Sequence, residues 1–261
     1  MKKAIFYLLA CVLLPVAASA DEGMWLVSTF RDVIYPQMKK EAPALCNAIV
    51  AVDGGMGTGS VISDKGLVIT NHHVAYGDIH SLSTPAKNYL EEGFWALEQK
   101  DELPLKGKTV TFLRQVRDVT DEAQAIRDSL EKANSLGIFG TRKVYGILER
   151  KYGRDTPFEV ECASMWKGKK YLLFYYETYK DVRLVGAPPV KIGAFGGEQD
   201  NWGWPQHKGD FALYRVYGDA KGRPAAYSEN NVPITPRKVL NVSTSGIHDG
   251  DYAMVIGFPG R

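Results

Sequence analysis

The sequence contains two segments whose residue types could do acid–base chemistry together. The first, GLVITNHHV at residues 66–74, has the pattern of a strand that delivers a histidine to its end. An imidazole at such a position can project into a cleft and act as a general base near neutral pH. A lone histidine at a strand end is more often structural. Only the surrounding residues can therefore favour a catalytic role for His72 or His73.

The second segment, residues 195–213, contains an aspartate that opens a predicted strand. A histidine acting as a general base needs a carboxylate that accepts its Nδ1 proton, fixes its tautomer and stabilises the imidazolium. Chymotrypsin-like proteases place this carboxylate in the pattern Asp-apolar-Ala-apolar, and Asp210 begins the matching sequence DFAL. The other candidates precede polar or helical sequence; they are Asp101, Asp118 and Asp121. We therefore predict that Asp210 is the partner of the histidine.

Composition narrows the classes of protein that could hold these segments. The 261 residues are 45% hydrophobic and 24% charged, which is the balance of a globular chain and is too apolar for a disordered one. The body of the chain has no apolar run of about 18 residues, which excludes a bundle of membrane helices. The formal net charge is +2 and becomes zero without Lys2 and Lys3, so the basic excess of a nucleic-acid-binding protein is absent.

The first twenty residues have the pattern of a signal peptide. Two lysines precede an apolar stretch at residues 4–18, and Ala18-Ser19-Ala20 is a small-residue cleavage site. The lipoprotein-like sequence LLAC at residues 8–11 lies too early in the apolar stretch to compete with it. We expect removal of residues 1–20 and export of residues 21–261 to the periplasm or the cell surface, with no membrane span left after removal.

The elements that must position the two segments are mostly strands. Short apolar runs between turns rich in glycine and proline indicate a sandwich or a barrel rather than a parallel α/β sheet. The strand candidates are Ala48–Val52, Val61–Ile62, Leu67–Ile69, Thr109–Val116, Phe158–Cys162, Tyr171–Tyr179, Asp181–Val185, Phe211–Tyr217, Lys238–Val242 and Tyr252–Ile256. A helical excursion interrupts them, with apolar residues at helical spacing after Thr120 and a second helix near residues 141–151. No internal domain boundary is visible.

Further motifs make the chain resemble a family of bacterial exopeptidases. These motifs are DEGMWL (21–26), GTGS (57–60), TNHH (70–73), NYLEEGFWA (88–96), ELP (102–104), the segment 197–211 and GFPGR (257–261). Together they are similar to the dipeptidyl-peptidases of types 7 and 11 over nearly all of residues 21–261. The sequence DNWGWPQHKGDF at 200–211 is long and specific, whereas the histidine segment is shared with HtrA-type proteases.

The resemblance implies a mainly β fold, namely the N-terminal barrel of a two-barrel, chymotrypsin-like serine protease with a short helical excursion. It implies an enzyme that releases dipeptides from the amino end of a peptide or oligopeptide substrate, with His73 as general base and Asp210 as its orienting partner. It also implies that Asn201 and Trp202 hold the free amine of the substrate. This is chemically reasonable, because an amide oxygen accepts from an ammonium group and an indole face attracts it. Trp202 could equally pack in the core. No metal or other cofactor and no nucleic acid is expected, and the full-length protein could form a homodimer.

The chain departs from the family pattern in two ways. Val74 stands where the family usually has cysteine, which leaves Cys46 and Cys162 either to pair with each other or to stay as free thiols. In addition, the family's serine nucleophile lies in a G-N-S-G-type loop, and neither Ser60 nor the sequence STSG at 243–246 has that glycine pattern. We therefore expect residues 21–261 to be the N-terminal part of the catalytic domain, without the second barrel and the helical domain, and to be inactive alone.

Three alternatives remain. An HtrA-like endoprotease would share the histidine segment, but its aspartate normally follows within a few tens of residues, whereas Asp210 follows His73 by 137 positions. A non-catalytic periplasmic binding module could keep both segments without turnover. A metal hydrolase using His72, His73, His80 and His207 is disfavoured, because adjacent histidines in a strand point to opposite faces.

Overall fold

A computed structural model describes residues 42–197, 207–251 and 254–258. The predicted signal peptide and the two residues predicted to hold the substrate amine, Asn201 and Trp202, lie outside the described residues. Within the described ranges, eleven strands form one sheet, and six α-helices lie before, between or after them.

The elements are numbered in chain order. The strands are β1 (Ile49–Val52), β2 (Gly57–Val61), β3 (Leu67–Thr70), β4 (Phe94–Trp95), β5 (Leu103–Pro104), β6 (Val110–Asp118), β7 (Glu159–Met165), β8 (Lys170–Tyr179), β9 (Asp181–Ala187), β10 (Ala212–Gly218) and β11 (Val232–Pro233). The helices are α1 (Ala42–Leu45), α2 (His72–Leu82), α3 (Tyr89–Glu92), α4 (Thr120–Lys132), α5 (Gly140–Gly153) and α6 (Val190–Gly193), with 3-10 turns at Cys46–Ala48, Asp53–Gly55 and Gln99–Asp101.

The sheet is antiparallel and open. Its strand order is β4-β9-β10-β3-β2-β1-β6-β8-β7, with β11 added to β10 and β5 added to β9. The expectation of a mainly β chain with few helices is therefore confirmed. The expected barrel is not, because no pairing between the described strands joins β4 to β7 and closes the sheet. The helical excursion explains the open end, since β7 and β8 cover α4 and α5 instead of returning to β4.

Two hydrophobic clusters hold together the part of the chain that the structure describes. The larger lies under the centre of the sheet and includes Val50 of β1, Val68 of β3 and Tyr214 of β10, each with no exposed surface. The smaller joins the helical excursion to the outer hairpin, with Leu148 of α5 packed among residues of β7 and β8 such as Leu173. The larger cluster therefore supports the strands that lead to the candidate site.

Several predicted elements differ from the structure. Residues 238–242 were predicted as a strand but form none, although the Leu240 amide donates to the Val61 carbonyl at 2.9 Å. Residues 254–256 also form no strand, and Tyr252 lies outside the described residues. Conversely, β4, β5 and β11 have only two residues each, which is too short for alternation to reveal them in the sequence.

The two cysteines among the described residues, Cys46 and Cys162, are free thiols in this structure. Burial raises the pKa of Cys162 to about 11, with a further contribution from Glu149. Burial also raises the pKa of the Cys46 thiol, against the opposing effect of a backbone hydrogen bond. Neither sulfur is therefore a ready nucleophile at neutral pH.

The helices of the described ranges are short or carry many polar residues. None of them is both long enough and apolar enough to cross a membrane.

Candidate active site

His73 lies in the first turn of a helix, not at the end of a strand as the sequence suggested. Strand β3 ends at Thr70, and Asn71 has extended dihedral angles, with φ −81° and ψ 151°, before α2 begins at His72. The Asn71 carbonyl accepts the first helical hydrogen bond from Ala75 at 3.2 Å. The sequence pattern did not predict this helix, because Gly77 and two adjacent histidines give the segment a weak helix propensity. An asparagine before the run was its one sequence signal.

Asp210 reaches His73 because of the strand register. Ala212 of β10 pairs with Thr70 of β3, and the antiparallel ladder continued by two residues puts Asp210 beside the start of α2. Oδ2 of Asp210 lies 2.7 Å from Nδ1 of His73, and Oδ1 accepts from the His73 backbone N–H at 3.0 Å. The structure thus brings together the two residues that the sequence predicted as general base and partner.

Asn71 is a third member of this arrangement, and sequence reasoning missed it. Its Nδ2 donates to both the side-chain Oδ2 and the backbone carbonyl of Asp210, each at 3.2 Å. The Asn71 side chain consequently makes no capping bond to α2. The carboxylate of Asp210 takes the capping position instead and accepts a hydrogen bond from the His73 backbone amide. It lies at the N-terminal end of the helix, where the helix dipole favours negative charge.

The electrostatics fix the tautomer of His73. Burial would raise the pKa of the Asp210 carboxyl, but hydrogen bonds from the His73 backbone and ring, helped by Asn71, lower that pKa overall. At neutral pH the carboxylate is therefore ionised and only accepts hydrogen bonds. Nδ1 of His73 must carry the proton in the 2.7 Å bond, which leaves the lone pair of the neutral ring on Nε2. A general base needs this tautomer.

The pair is open to solvent. The His73 side chain is 67% exposed and that of Asp210 is 24% exposed. Among the described residues, Nε2 of His73 makes no hydrogen bond, so no serine hydroxyl is bound to it there. Ser243 and Ser245 instead bond to each other at 3.0 Å.

His72 has a different environment from its neighbour. It has no exposed surface. Its ring packs on Gly193 of α6 so closely that a Cβ there would lie 2.4 Å from the ring Cγ, and Tyr76 approaches edge-on at 6.5 Å between ring centroids. Burial lowers the pKa of His72, against the effects of the Asp210 charge and the Pro188 backbone.

Trp95 of β4 lies near the pair and was not singled out from the sequence. Its ring covers Gly186 of β9, where a Cβ would lie only 2.5 Å from the indole. Its ring centroid is 6.2 Å from that of Phe211, the residue after Asp210, and about half of Trp95 is exposed. A partly exposed aromatic ring therefore lies beside the residue that follows Asp210.

The described residues contain no group of three or more His, Cys, Asp or Glu side chains arranged to hold a metal ion. One reason given above against a shared metal was wrong, however. His72 and His73 lie in a helix, so they do not alternate between the faces of a strand.

Comparison with known proteins identifies a family. The sequence profile described as Peptidase S46 matches residues 20–261. An Asp/Glu-specific dipeptidyl-peptidase of Porphyromonas gingivalis is 42% identical over 277 residues, which cover 99% of this chain and 38% of that protein. Dipeptidyl-peptidase 7 of Capnocytophaga gingivalis is 40% identical over 276 residues, which cover 100% of this chain and 38% of that protein.

The fold is also similar to solved structures. A crystal structure of Porphyromonas endodontalis DPP11 in complex with substrate matches with a TM-score of 0.78 and 34% identity. The match covers 88% of this chain and 36% of that one. The chain thus spans less than two fifths of the length of the relatives it matches.

Proposed function

This chain belongs to the peptidase S46 family, and from that premise we propose that it is the N-terminal part of a serine dipeptidyl peptidase. The observation that carries the proposal is the 2.7 Å bond between Nδ1 of His73 and Oδ2 of Asp210. The two curated relatives described above are both dipeptidyl-peptidases, which favours release of dipeptides over the HtrA-like and non-catalytic alternatives.

His73 acts as the general base in the proposed reaction. Its Nε2 takes the proton of a serine hydroxyl as that oxygen attacks the scissile carbonyl, and Asp210 stabilises the imidazolium that forms. His73 then gives the proton to the leaving amine, and the same ring activates the water that hydrolyses the acyl-enzyme. The serine and the oxyanion hole come from the part of the whole protein that the relatives have and the described residues do not include.

Asn201 and Trp202 are proposed to bind the free amine of the peptide. They precede Asp210 by fewer than ten positions, so they are tied by a short segment to the strand that carries the carboxylate. A fixed amine two residues from the scissile bond would make the dipeptide the unit of release. No metal or other cofactor takes part in this mechanism.

The architecture and the location are proposals of the same kind. The central strands from β10 through β1 to β6 correspond in this proposal to the first of two chymotrypsin-like barrels, with residues 21–261 as the N-terminal part of the catalytic domain. Residues 1–20 act as a signal peptide that exports the protein to the periplasm or the cell surface. The homodimer suggested for the full-length protein stays a prediction.

The proposal is tested with the whole protein that contains this sequence and a dipeptidyl-coumarin substrate. Replacing the general base by His73→Ala, or giving it the wrong tautomer by Asp210→Asn, should lower kcat by about 10⁴-fold. His80→Ala is the matched control, since it removes an exposed histidine from the same helix and should leave turnover unchanged. Near-normal turnover by His73→Ala would overturn the proposal.

A second measurement separates catalysis from binding. A serine-directed fluorophosphonate probe should label the whole protein but not residues 21–261 alone, because no described serine is bonded to His73. A whole protein that binds peptides without being labelled would instead be a binding module. Labelling of the 21–261 chain would show that the nucleophile had been misplaced.

A further inference from the structure

A buried lysine joins three separate parts of the chain behind the candidate active site. Only 5% of the Lys108 side chain is exposed, and its Nζ lies 2.5 Å from Oδ2 of Asp53 and 2.6 Å from Oδ2 of Asp78. The same Asp78 oxygen accepts from the Tyr214 hydroxyl at 2.6 Å. Lys108 also lies over the Tyr214 ring, at 5.6 Å from its centroid.

The members of this network lie on the elements that carry the candidate pair. Asp78 lies in α2, the helix whose first turn contains His73. Tyr214 lies in β10, which Asp210 precedes. The network therefore attaches α2 to β10 a second time, beyond the contact between Asp210 and the helix N-terminus.

The remaining carboxylate anchors the network to the sheet. Oδ1 of Asp53, in the turn after β1, accepts from the Thr109 amide at 3.1 Å, and the Asp53 amide donates to the Thr109 carbonyl at 3.1 Å. Lys108 is thereby fixed between the β1–β2 turn and the start of β6. A fixed cation gives Asp78 a defined position, and the Tyr214 hydroxyl sets the distance between α2 and β10.

Stability alone accounts poorly for such a group. Buried ion pairs lose much of their Coulomb energy to desolvation, and well-packed apolar residues often stabilise a core as well or better. Burial next to Asp78 also raises the pKa of the Tyr214 phenol, so this hydroxyl stays a hydrogen-bond donor over the whole physiological range. The network is thus a permanent geometric constraint on the helix.

His73 depends on such a constraint. Its side chain is 67% exposed, and its hydrogen bond among the described residues is to Asp210, so the direction of its ring follows the position of α2 relative to Asp210. We propose that Lys108, Asp78 and Tyr214 are positioning residues that hold α2 against β10, so that Nδ1 of His73 stays bonded to Asp210. The catalytic meaning of this inference rests on the proposed function, whereas its geometric content does not.

The test compares two tyrosines of β10 in the whole protein that contains this sequence. Tyr214→Phe removes the hydroxyl bonded to Asp78 but keeps the ring. Tyr217→Phe is the matched control, because Tyr217 is 2% exposed and donates at 2.7 Å to Glu102, which is not in α2. The readout is the ratio of the Nδ1–H to the Nε2–H tautomer of His73, measured at neutral pH by 15N NMR.

Tyr214→Phe should lower this ratio by up to about tenfold, the factor that corresponds to about 1.4 kcal/mol, which is the scale of one buried hydrogen bond. Lys108→Met should lower it as well, whereas Tyr217→Phe should change it by less than about twofold. Equal effects of the two tyrosine variants, or no effect of Tyr214→Phe, would overturn the inference.

Turnover of the whole protein gives an independent readout. A positioning role predicts that Tyr214→Phe lowers kcat about tenfold with little change in KM, since orientation matters only in the transition state. An unchanged kcat would limit the network to a structural role. If the tautomer ratio falls but His73→Ala is fully active, the proposed function is wrong and the geometric inference stands.

Discussion

At the scale of single residues, two adjacent histidines show what a sequence pattern can and cannot predict about a site. His72 and His73 have the same side chain, but the helix turns them apart by about 100°, so one is buried and the other faces solvent. Periodicity alone did not distinguish them, and only the similarity of the TNHH motif to known proteases selected His73. Asp210 was predictable from the match of DFAL to the pattern of chymotrypsin-like proteases, whereas the contact of Asn71 with Asp210 depends on a helix that the sequence did not reveal.

The burial of His72 has a measurable consequence for stability. Its folded-state pKa is lowered from the ordinary value of 6.5, so below that value the unfolded chain binds a proton that the folded chain resists. The contribution is fully present above pH 6.5 and is lost as the pH falls toward the folded pKa. The free energy of unfolding should therefore fall between about pH 7.5 and 5.5, and His72→Gln should show a smaller fall.

Urea denaturation at the two pH values checks this prediction. His80→Gln is the control, because His80 is exposed in the same helix and its replacement should leave the pH dependence as in the unchanged chain. An identical pH dependence in His72→Gln and the unchanged chain would mean that His72 titrates normally.

At the scale of elements, close packing of β2 on α2 fixes the direction of the helix. A Cβ at Gly57 of β2 would lie 2.6 Å from Cγ1 of Val74, the residue after His73. This contact accounts for the glycine at the first position of β2. A residue without a Cβ is needed at position 57 because Val74, in the first turn of α2, lies directly against the strand.

Gly57→Ala should therefore destabilise the protein by about 1–3 kcal/mol, through overpacking against Val74. Adding Val74→Ala should recover part of that loss, with a coupling energy of about 0.5–3 kcal/mol in a double-mutant cycle measured by urea denaturation. Gly77→Ala in the exposed part of α2 is the control, since nothing lies within 4 Å of its added Cβ. It should stabilise the helix by about 0.5–1 kcal/mol. Strictly additive effects of Gly57→Ala and Val74→Ala would contradict the contact.

The elements that the sequence predicted well are the long ones. Strands β6, β8 and β10 and helices α4 and α5 each span seven or more residues, enough for their periodicity to show. Helix α2 has eleven residues but little amphipathic pattern, because its buried positions are held by His72, Ala75 and Ile79 among polar neighbours. Tertiary packing on the sheet rather than local preference makes it a helix.

At the scale of the whole molecule, the sequence predicted the fold class but not the openness of the sheet. Alternating patterns report which face of a strand is buried, and they carry no information on which strands form the edges. Insertion of α4 and α5 between β6 and β7 adds a second hydrophobic cluster. The outer hairpin of β7 and β8 packs on those helices instead of closing the sheet. Only the strand pairing reveals this arrangement.

The proposed export of the molecule is checked at its amino end. Protein purified from its native source should begin at Asp21, as shown by the mass of its first proteolytic peptide. Ala20→Leu should block this processing, because the cleavage site requires a small residue there, whereas Ser19→Leu at the tolerant position between the two alanines should not. A native protein that begins at Met1 would contradict the signal peptide.

The sequence separation of 137 between His73 and Asp210 also determines which of them is synthesised first. At about 5–20 residues per second, a ribosome makes Asp210 on the order of ten seconds after His73. Strand β10, which pairs with β3 and carries the Tyr214 contact to α2, is made later still. For that interval the imidazole has no carboxylate to select its tautomer. The tautomer of His73 can therefore be selected only after Asp210 has been synthesised and β10 has paired with β3.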